Sequence, residues 1–145
     1  MPRANQLNGS AAETEAAFYD ALARADLDAL MALWADDEEI VCIHPGAPRL
    51  LGHAAIRASW EAIFENGGVH ITPILLHQTH NLMSAIHNVV EEIKQRSGAG
   101  AQQDVHVLAT NVFIKTPHGW RIVAHHASVA PGKAQSEAPK ANLLH

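Results

Sequence analysis

The second half of the sequence constrains the fold most, because it consists of four long β-prone stretches separated by short turns. These stretches are residues 69–80, 82–96, 102–115 and 120–129. Turn-forming residues at 97–100 and 116–119 separate the last three stretches. Neighbouring stretches can therefore pair as antiparallel hairpins, and we expect a long antiparallel sheet at the centre of the fold.

The first half carries the patterns of three helices. Ser10 and Glu13 have the capping-box spacing, which predicts a helix that begins near Ser10. Asp26 is a suitable cap for a second, short helix, whose apolar residues over 27–34 fall on one face. A third helix is predicted from the apolar repeat over 56–64. Three helices thus precede most of the sheet.

A short β-branched run at residues 40–43 lies between the second and third helices and predicts a first strand. It is closed by Pro45 and Gly46, which favour a turn. Residues 48–52 then read as a loop that leads into the third helix.

The strands carry apolar groups on both faces, as at 89–90 and 105–109. A sheet of this kind needs cover on both sides. Three helices cover one face, so we expect a second copy of the chain on the other, forming a homodimer through the sheet face. The predicted fold class is α+β, with a curved antiparallel or mixed sheet and three helices of the N-terminal half packed on one face.

Length and composition set the broad class of the protein. A chain of 145 residues with 48% hydrophobic residues suits one domain, which we place at residues 10–131 with flexible termini at 1–9 and 132–145. A net charge of -5 with 10 Lys and Arg argues against a nucleic-acid partner. The sequence shows no membrane span and no signal peptide, so we expect a cytoplasmic protein.

Histidine is unusually frequent, with 11 residues, which raises the question of a metal. The spacings that announce metal sites, such as helical His-x3-His or cysteine pairs, do not occur, and Cys42 is the single cysteine. We therefore expect no metal and no cofactor. Histidines that converge from separate strands remain an open alternative.

Several segments resemble the nuclear transport factor two-like superfamily, and within it the small bacterial SnoaL-like proteins. They are residues 25–37, 42–46 and 119–128, together with Ser59 and Trp60. The resemblance covers roughly residues 11–131 and implies a cone-shaped α+β fold whose curved sheet surrounds a pocket. The superfamily includes isomerases, cyclases and dehydratases as well as non-catalytic binding or assembly modules, so the resemblance favours a fold more than a reaction.

His44 is the first candidate for catalysis. In the ketosteroid isomerases of the superfamily a carboxylate base precedes a proline after the first strand, and with a two-residue shift the equivalent position here is His44, which precedes Pro45. Histidine, with an ordinary pKa of about 6.5, is a suitable base near neutral pH. By the two-residue period of a strand, His126 shares a face with Trp120, and the resemblance favours this face as the cavity wall. If the other face lines the cavity, His125 takes its place.

The remaining isomerase roles are not matched. The phenol donor falls on Phe18, which cannot donate a hydrogen bond, and we expect the neighbouring Tyr19 to face elsewhere. The buried acid falls near Thr110 and Asn111, and neither is an acid. Steroid isomerisation by that mechanism is therefore not expected.

Four residues are predicted to line the pocket: Phe18, Trp34, Trp60 and Asn111. The two tryptophans lie on apolar stripes, where core packing is the alternative role. The amide of Asn111 in an apolar strand needs hydrogen-bond partners, so it either faces a wet cavity or bridges backbone groups.

The sequence thus predicts a protein that binds a small, mostly apolar organic molecule. Isomerase, cyclase or dehydratase chemistry by proton transfer through His44 and His126 is the expected activity if the protein is an enzyme. A non-catalytic homodimeric binding or assembly module is the alternative, and a histidine-ligated metal enzyme is a third.

Overall fold

The computed structural model describes residues 9–96 and 102–130, which form an α+β arrangement as predicted. The helices are α1 (Ala11–Arg24), α2 (Leu27–Met31) and α3 (Gly52–Phe64). The strands are β1 (Val41–Ile43), β2 (Leu50–Leu51), β3 (Ile71–His80), β4 (Ser84–Arg96), β5 (Gln102–Thr116) and β6 (Gly119–Val129). The predicted turn at 97–100 and most of both predicted flexible termini lie outside the described residues.

The strands form one six-stranded mixed sheet in the order β2-β1-β6-β5-β4-β3. The hairpins predicted between β3, β4, β5 and β6 are present as antiparallel pairs. β1 joins the sheet by parallel pairing with β6. The loop predicted at 48–52 contains β2, which pairs with β1 and was not anticipated.

Both predicted helix caps are confirmed. The Ser10 Oγ accepts a hydrogen bond from the Glu13 backbone N–H at 3.1 Å, and the Asp26 side chain accepts one from the Ala29 N–H at 3.1 Å. The second helix is shorter than predicted, because it ends at Met31. Trp34 is still buried, but its backbone forms a bridge with Ile122 instead of continuing the helix.

The face of the sheet that packs against α1 and α3 carries most of the core, and we call it the inner face. The core here contains the largest fully buried apolar side chains of the helices and the sheet region: Phe18, Leu22, Leu30, Ile40, Ile56, Phe113 and Ile122. The opposite, outer face keeps apolar residues in solvent, with Leu108 43% and Ile86 40% exposed.

A bulge in β6 decides which histidine faces the helices. Phe113 pairs with Ile122, whereas its neighbour Val112 pairs with Ala124, so β6 carries one extra residue at this point. An extra residue reverses the alternation of side chains beyond it. The prediction that residues 120, 122, 124, 126 and 128 share one face is therefore wrong, and beyond the bulge His125 lies on the inner face.

Candidate functional site

A row of paired residues crosses the inner face from one edge region of the sheet to the other. Cys42 pairs with His125, His125 with Asn111, Asn111 with His87, and His87 with Gln78. Paired side chains on adjacent strands lie roughly 5 Å apart. We call this set the inner row. All of its members except Gln78 are buried.

Asn111 is the centre of a hydrogen-bond network that joins the inner row to α1. Its Nδ2 donates to Glu15 Oε2 at 2.8 Å and to the Tyr19 hydroxyl oxygen at 3.2 Å. Its Oδ1 lies 2.6 Å from Nδ1 of His125. Because a carbonyl oxygen only accepts, the proton of this bond belongs to His125 Nδ1.

His125 is held in its neutral form. Burial lowers its pKa to about 3, and the charges of His44 and His126 act in the same direction. With Nδ1 protonated for Asn111, the unprotonated ring nitrogen is Nε2. His125 therefore serves as a fixed, neutral donor to Asn111.

Two carboxylates from different elements enter this network. Glu15 Oε1 lies 2.9 Å from Nδ1 of His87, and the Tyr19 hydroxyl donates to Glu91 Oε2 at 2.7 Å. Glu15 and Tyr19 are four residues apart on α1, so both reach the same part of the sheet. The network therefore contains six side chains. Three belong to the inner row, two belong to α1, and the sixth is the second acid, Glu91 of β4: His87, Asn111, His125, Glu15, Tyr19 and Glu91.

The acid Glu91 exchanges its proton close to neutral pH. Its pKa is raised to about 7, mainly by burial and in addition by the charge of Glu15, while the hydrogen bond from Tyr19 opposes the shift. Burial and the neighbouring Glu91 hold the pKa of Tyr19 well above its ordinary value. The phenol therefore stays protonated and remains the donor of this pair.

His44 lies on the same face as Cys42 and His125, and it is half-buried. Its Nε2 is 3.0 Å from Ser59 Oγ, while that hydroxyl donates to the Ile56 carbonyl at 2.7 Å. Since the single hydroxyl proton is used by Ile56, His44 Nε2 is the donor to Ser59. In the neutral ring the lone pair is then on Nδ1, and burial lowers the pKa of His44.

Aromatic rings connect His44 with the network. Trp60 packs edge-on against His44, with ring centroids 4.7 Å apart, and lies 6.3 Å from the His125 ring. Phe18 lies 5.2 Å from the same ring of His125. Cys42 is also close, but burial raises the pKa of its thiol to about 12, so it remains a neutral thiol.

The structure brings together four of the six predicted site residues. His44, Phe18, Trp60 and Asn111 lie on or against the inner face. Trp34 is separate, in a groove that also contains Arg121. His126 is exposed on the outer face in a groove with Thr110, so the expected pairing of His44 with His126 does not form.

Sequence reasoning missed four polar members of the network: Glu15, Tyr19, His87 and Glu91. The signal for two of them was present, because Glu15 and Tyr19 follow each other at i, i+4 beside the apolar stripe of the first helix. Glu91 follows Val89 by two residues and so shares its buried face. Only the folded sheet shows which of these partners meet.

Two further findings concern metal binding and membrane-spanning helices. Among residues 9–96 and 102–130, no group of three or more His, Cys, Asp or Glu side chains is placed to hold a metal ion. No helix in that part of the chain has the length and apolar character required to cross a bilayer.

The sequence over most of the described chain matches a known family. The family model described as SnoaL-like domain matches residues 12–131, and the chain belongs to this family. Solved structures related to it are described as NTF2-like with a cystatin-like fold, which supports the predicted cone-shaped α+β class. A search of curated proteins found no match to the sequence.

Three solved structures illustrate the similarity. The chain is 34% identical to a candidate calcium/calmodulin-dependent protein kinase type II association domain from Thiobacillus denitrificans, covering 86% of this chain and 98% of that one with a TM-score of 0.76. It is 28% identical to a candidate dehydratase of the NTF2-like family from Streptomyces avermitilis, covering 90% and 99% with a TM-score of 0.75. An uncharacterised cystatin-like protein from Caulobacter vibrioides, at 12% identity, covers 99% and 100% with a TM-score of 0.74.

The Tyr19–Glu91 pair makes a direct prediction about proton binding. We expect the Glu91 carboxyl to titrate at about pH 7, against an ordinary value of 4.5. The substitution Tyr19→Phe removes a donor that stabilises the carboxylate, so it should raise this pKa further. Carbon-detected NMR of the carboxyl groups, with the signal assigned through Glu91→Gln, measures both values. A Glu91 midpoint near 4.5, or a lower midpoint in the Tyr19 variant, would contradict the assignment.

Proposed function

We propose that this SnoaL-like protein binds a small, mostly apolar organic molecule on the inner face and transforms it by cofactor-independent proton transfer. The observation that carries the proposal is the buried Tyr19–Glu91 pair at 2.7 Å, whose acid has a pKa of about 7. Titratable groups tuned toward neutral pH by burial and a specific partner are typical of catalytic sites. In this proposal His44 transfers protons, as predicted from the sequence, and Glu91 has the second catalytic role that the sequence analysis gave to His126.

The two groups have complementary chemistry. Neutral His44 offers the Nδ1 lone pair as a base, because Nε2 donates to Ser59. Protonated Glu91 is an acid that can donate to a substrate oxygen. His44 would remove a proton from carbon while Glu91 protonates a carbonyl oxygen or a departing hydroxyl. Protonation of a carbonyl oxygen gives isomerisation through an enol. Protonation of a departing hydroxyl gives dehydration with loss of water.

The surroundings favour an apolar substrate. Phe18 and Trp60 are buried beside the rings of His125 and His44. Three further apolar side chains are partly buried against the same core: Ile63, Phe64 and Ile71. Such walls exclude water and strengthen interactions with the few polar groups present. The likeness to a candidate dehydratase at 28% identity supports the same class of reaction.

The probe 5-nitrobenzisoxazole tests the proposal without knowledge of the natural substrate. A base removes its ring C–H proton as the N–O bond breaks, and the product is a coloured cyanophenolate. We expect His44→Gln to lower kcat/KM for this probe by about 100-fold or more, the usual contribution of a positioned base. The exposed His70 supplies the control, because His70→Gln should leave the rate unchanged.

The acid is tested by pH dependence in the same assay. If protonated Glu91 assists, the rate of the wild type should fall as the pH rises through about 7, and Glu91→Gln should remove this limb. Turnover no faster than in buffer, or equal rates in the His44 and His70 variants, would reject proton transfer by this site.

A homodimeric assembly module is the second candidate, and it uses a different surface. Leu75, Ile86 and Leu108 are exposed large apolar residues on or beside the outer-face strands, at 64%, 40% and 43% exposure. Exposed apolar patches mark association surfaces. The 34% identity to a candidate association domain supports the same interpretation. We propose that two copies pair through this face.

The substitution Leu108→Asp should weaken the proposed dimer at least about tenfold, because it places a charge in an apolar contact. Ala58→Asp, at an exposed position on α3, is the matched control and should not change association. Native mass spectrometry across a dilution series measures both. A wild-type monomer, or equal dissociation of the two variants, would reject the outer face as the interface.

A further inference from the structure

His125 is a buried group of the inner face that the proposed proton transfer does not use. It is only 3% exposed, and it lies next to Asn111 in the inner row. Trp60 packs beside both His125 and His44, with ring centroids 6.3 and 4.7 Å apart. His125 therefore lies close to the proposed base, although it takes no part in the transfer.

The direction of the hydrogen bonds around Asn111 fixes which nitrogen of His125 carries the proton. The Tyr19 hydroxyl donates to Glu91 at 2.7 Å, so its oxygen accepts from Asn111 Nδ2. The other end of the carboxamide, Oδ1, then lies 2.6 Å from His125 Nδ1, which is the donor of this bond. The lone pair of the neutral ring is therefore on Nε2.

Nε2 of His125 is an acceptor without a protein partner, because Asn111 is the only hydrogen-bond partner of this ring among the described residues. In the same part of the chain two side-chain nitrogens are fully enclosed and unpartnered, Nε1 of Trp34 and Nε1 of Trp60. His125 Nε2 is not one of them, so part of its surface remains open to a ligand atom. A buried acceptor of this kind is satisfied by water or by a ligand.

The groups around the His125 ring are apolar or uncharged. Phe18 lies 5.2 Å from the ring, and Cys42, which pairs with His125, remains a neutral thiol. The pKa of His125 itself is lowered to about 3, mainly by burial, so the ring stays neutral as well. Burying a charged donor here would cost far more than burying a hydroxyl group. These surroundings favour a neutral donor.

We propose that His125 Nε2 accepts a hydrogen bond from a hydroxyl group of the substrate, so that the substrate of this site is a hydroxylated apolar molecule. The inference rests on the proposed function, because it places the substrate beside His44 on the inner face. It narrows the substrate class to apolar molecules that carry an alcohol or phenol O–H. A molecule without this group would leave Nε2 buried and unpartnered, and sites that bind a substrate hydroxyl reject analogues on this basis.

The network holds this acceptor in place before a substrate binds. The bond to Asn111 orients the His125 ring, and Asn111 is itself held by Glu15 and Tyr19 of α1. A preorganised group loses little freedom when its ligand arrives. His125 is thus a specificity-determining residue, while proton removal belongs to His44.

The matched probes are 4-ethylphenol and 1-ethyl-4-fluorobenzene, because fluorine replaces the hydroxyl group with little change of size and removes the donor. The full chain, labelled with ¹⁵N in its histidines, is titrated with each probe, and the imidazole signals are followed by NMR. The free protein should show a protonated Nδ1 and an unprotonated Nε2 for His125. We expect 4-ethylphenol to bind at least about tenfold more tightly and to move the Nε2 signal toward that of a protonated nitrogen.

Two adjacent histidines supply the variant and its control. His125→Leu removes the acceptor, so the preference for 4-ethylphenol should be lost. His126→Leu, on the exposed outer face, should keep it. The preference is a ratio of two affinities in the same protein, so a general weakening of the site does not change it. His125→Leu also removes the donor to Asn111, and the wild-type titrations decide the matter if circular dichroism shows that this variant does not fold.

Equal affinities of the two probes for the wild type would overturn the proposal, as would the absence of saturable binding or binding of 4-ethylphenol that leaves the Nε2 signal unchanged. Tighter binding of 4-ethylaniline, an N–H donor, would reject the hydroxyl class. The readout is binding alone. A retained preference for 4-ethylphenol without turnover of 5-nitrobenzisoxazole would therefore support the acceptor role and reject proton transfer, whereas turnover without the preference would reject the acceptor role alone.

Discussion

The three hydrogen bonds of the Asn111 carboxamide are the interaction on which the rest of this structure depends. They tie β5 to β6 through His125 and to α1 through Glu15 and Tyr19, all within the buried interior. A buried polar group left without its partner costs about 1 to 3 kcal/mol. Because the partners come from separate elements, these bonds fix the position of α1 on the sheet as well as satisfying each other.

The same network links the two ends of the inner face. From His87, hydrogen bonds run through Glu15, Asn111 and Tyr19 to Glu91. The charge of Glu15 in this buried network raises the energy of charging Glu91 and contributes to the rise in the Glu91 pKa. Buried ionic groups of this kind are often no more stabilising than apolar residues of the same volume, whereas removing one partner of such a network is strongly destabilising.

Local signals in the sequence predicted much of the fold. The caps at Ser10 and Asp26 depend on residues three positions apart, and the strands depend on runs of β-prone residues with turns between them. His44, Phe18, Trp60 and Asn111 were also identified as candidate site residues. The network itself was not predicted, because its bonds join residues 72 to 96 positions apart in several cases.

Two errors have specific physical causes. The choice of His126 over His125 assumed unbroken alternation along β6, and the bulge before Ala124 reverses it. Tyr19 was expected to face elsewhere because Phe18 occupied the stripe, yet the curved sheet contacts a wider arc of α1 and buries both. A bulge depends on how the strands pair, and the burial of Tyr19 depends on how the sheet contacts α1. Neither outcome is therefore visible in the sequence alone.

The central claim is that the folded protein holds Glu91 as an acid with a pKa of about 7, and the pH dependence of stability tests it most directly. Because this pKa is raised above the ordinary 4.5, the stabilising contribution of protonated Glu91 is complete below pH 4.5 and is lost as the pH rises through 7. Gln at this position mimics the protonated acid at every pH. The free energy of unfolding of Glu91→Gln relative to the wild type should therefore increase by roughly 3 kcal/mol between pH 4.5 and about pH 8. A difference that does not change over this range would contradict the account.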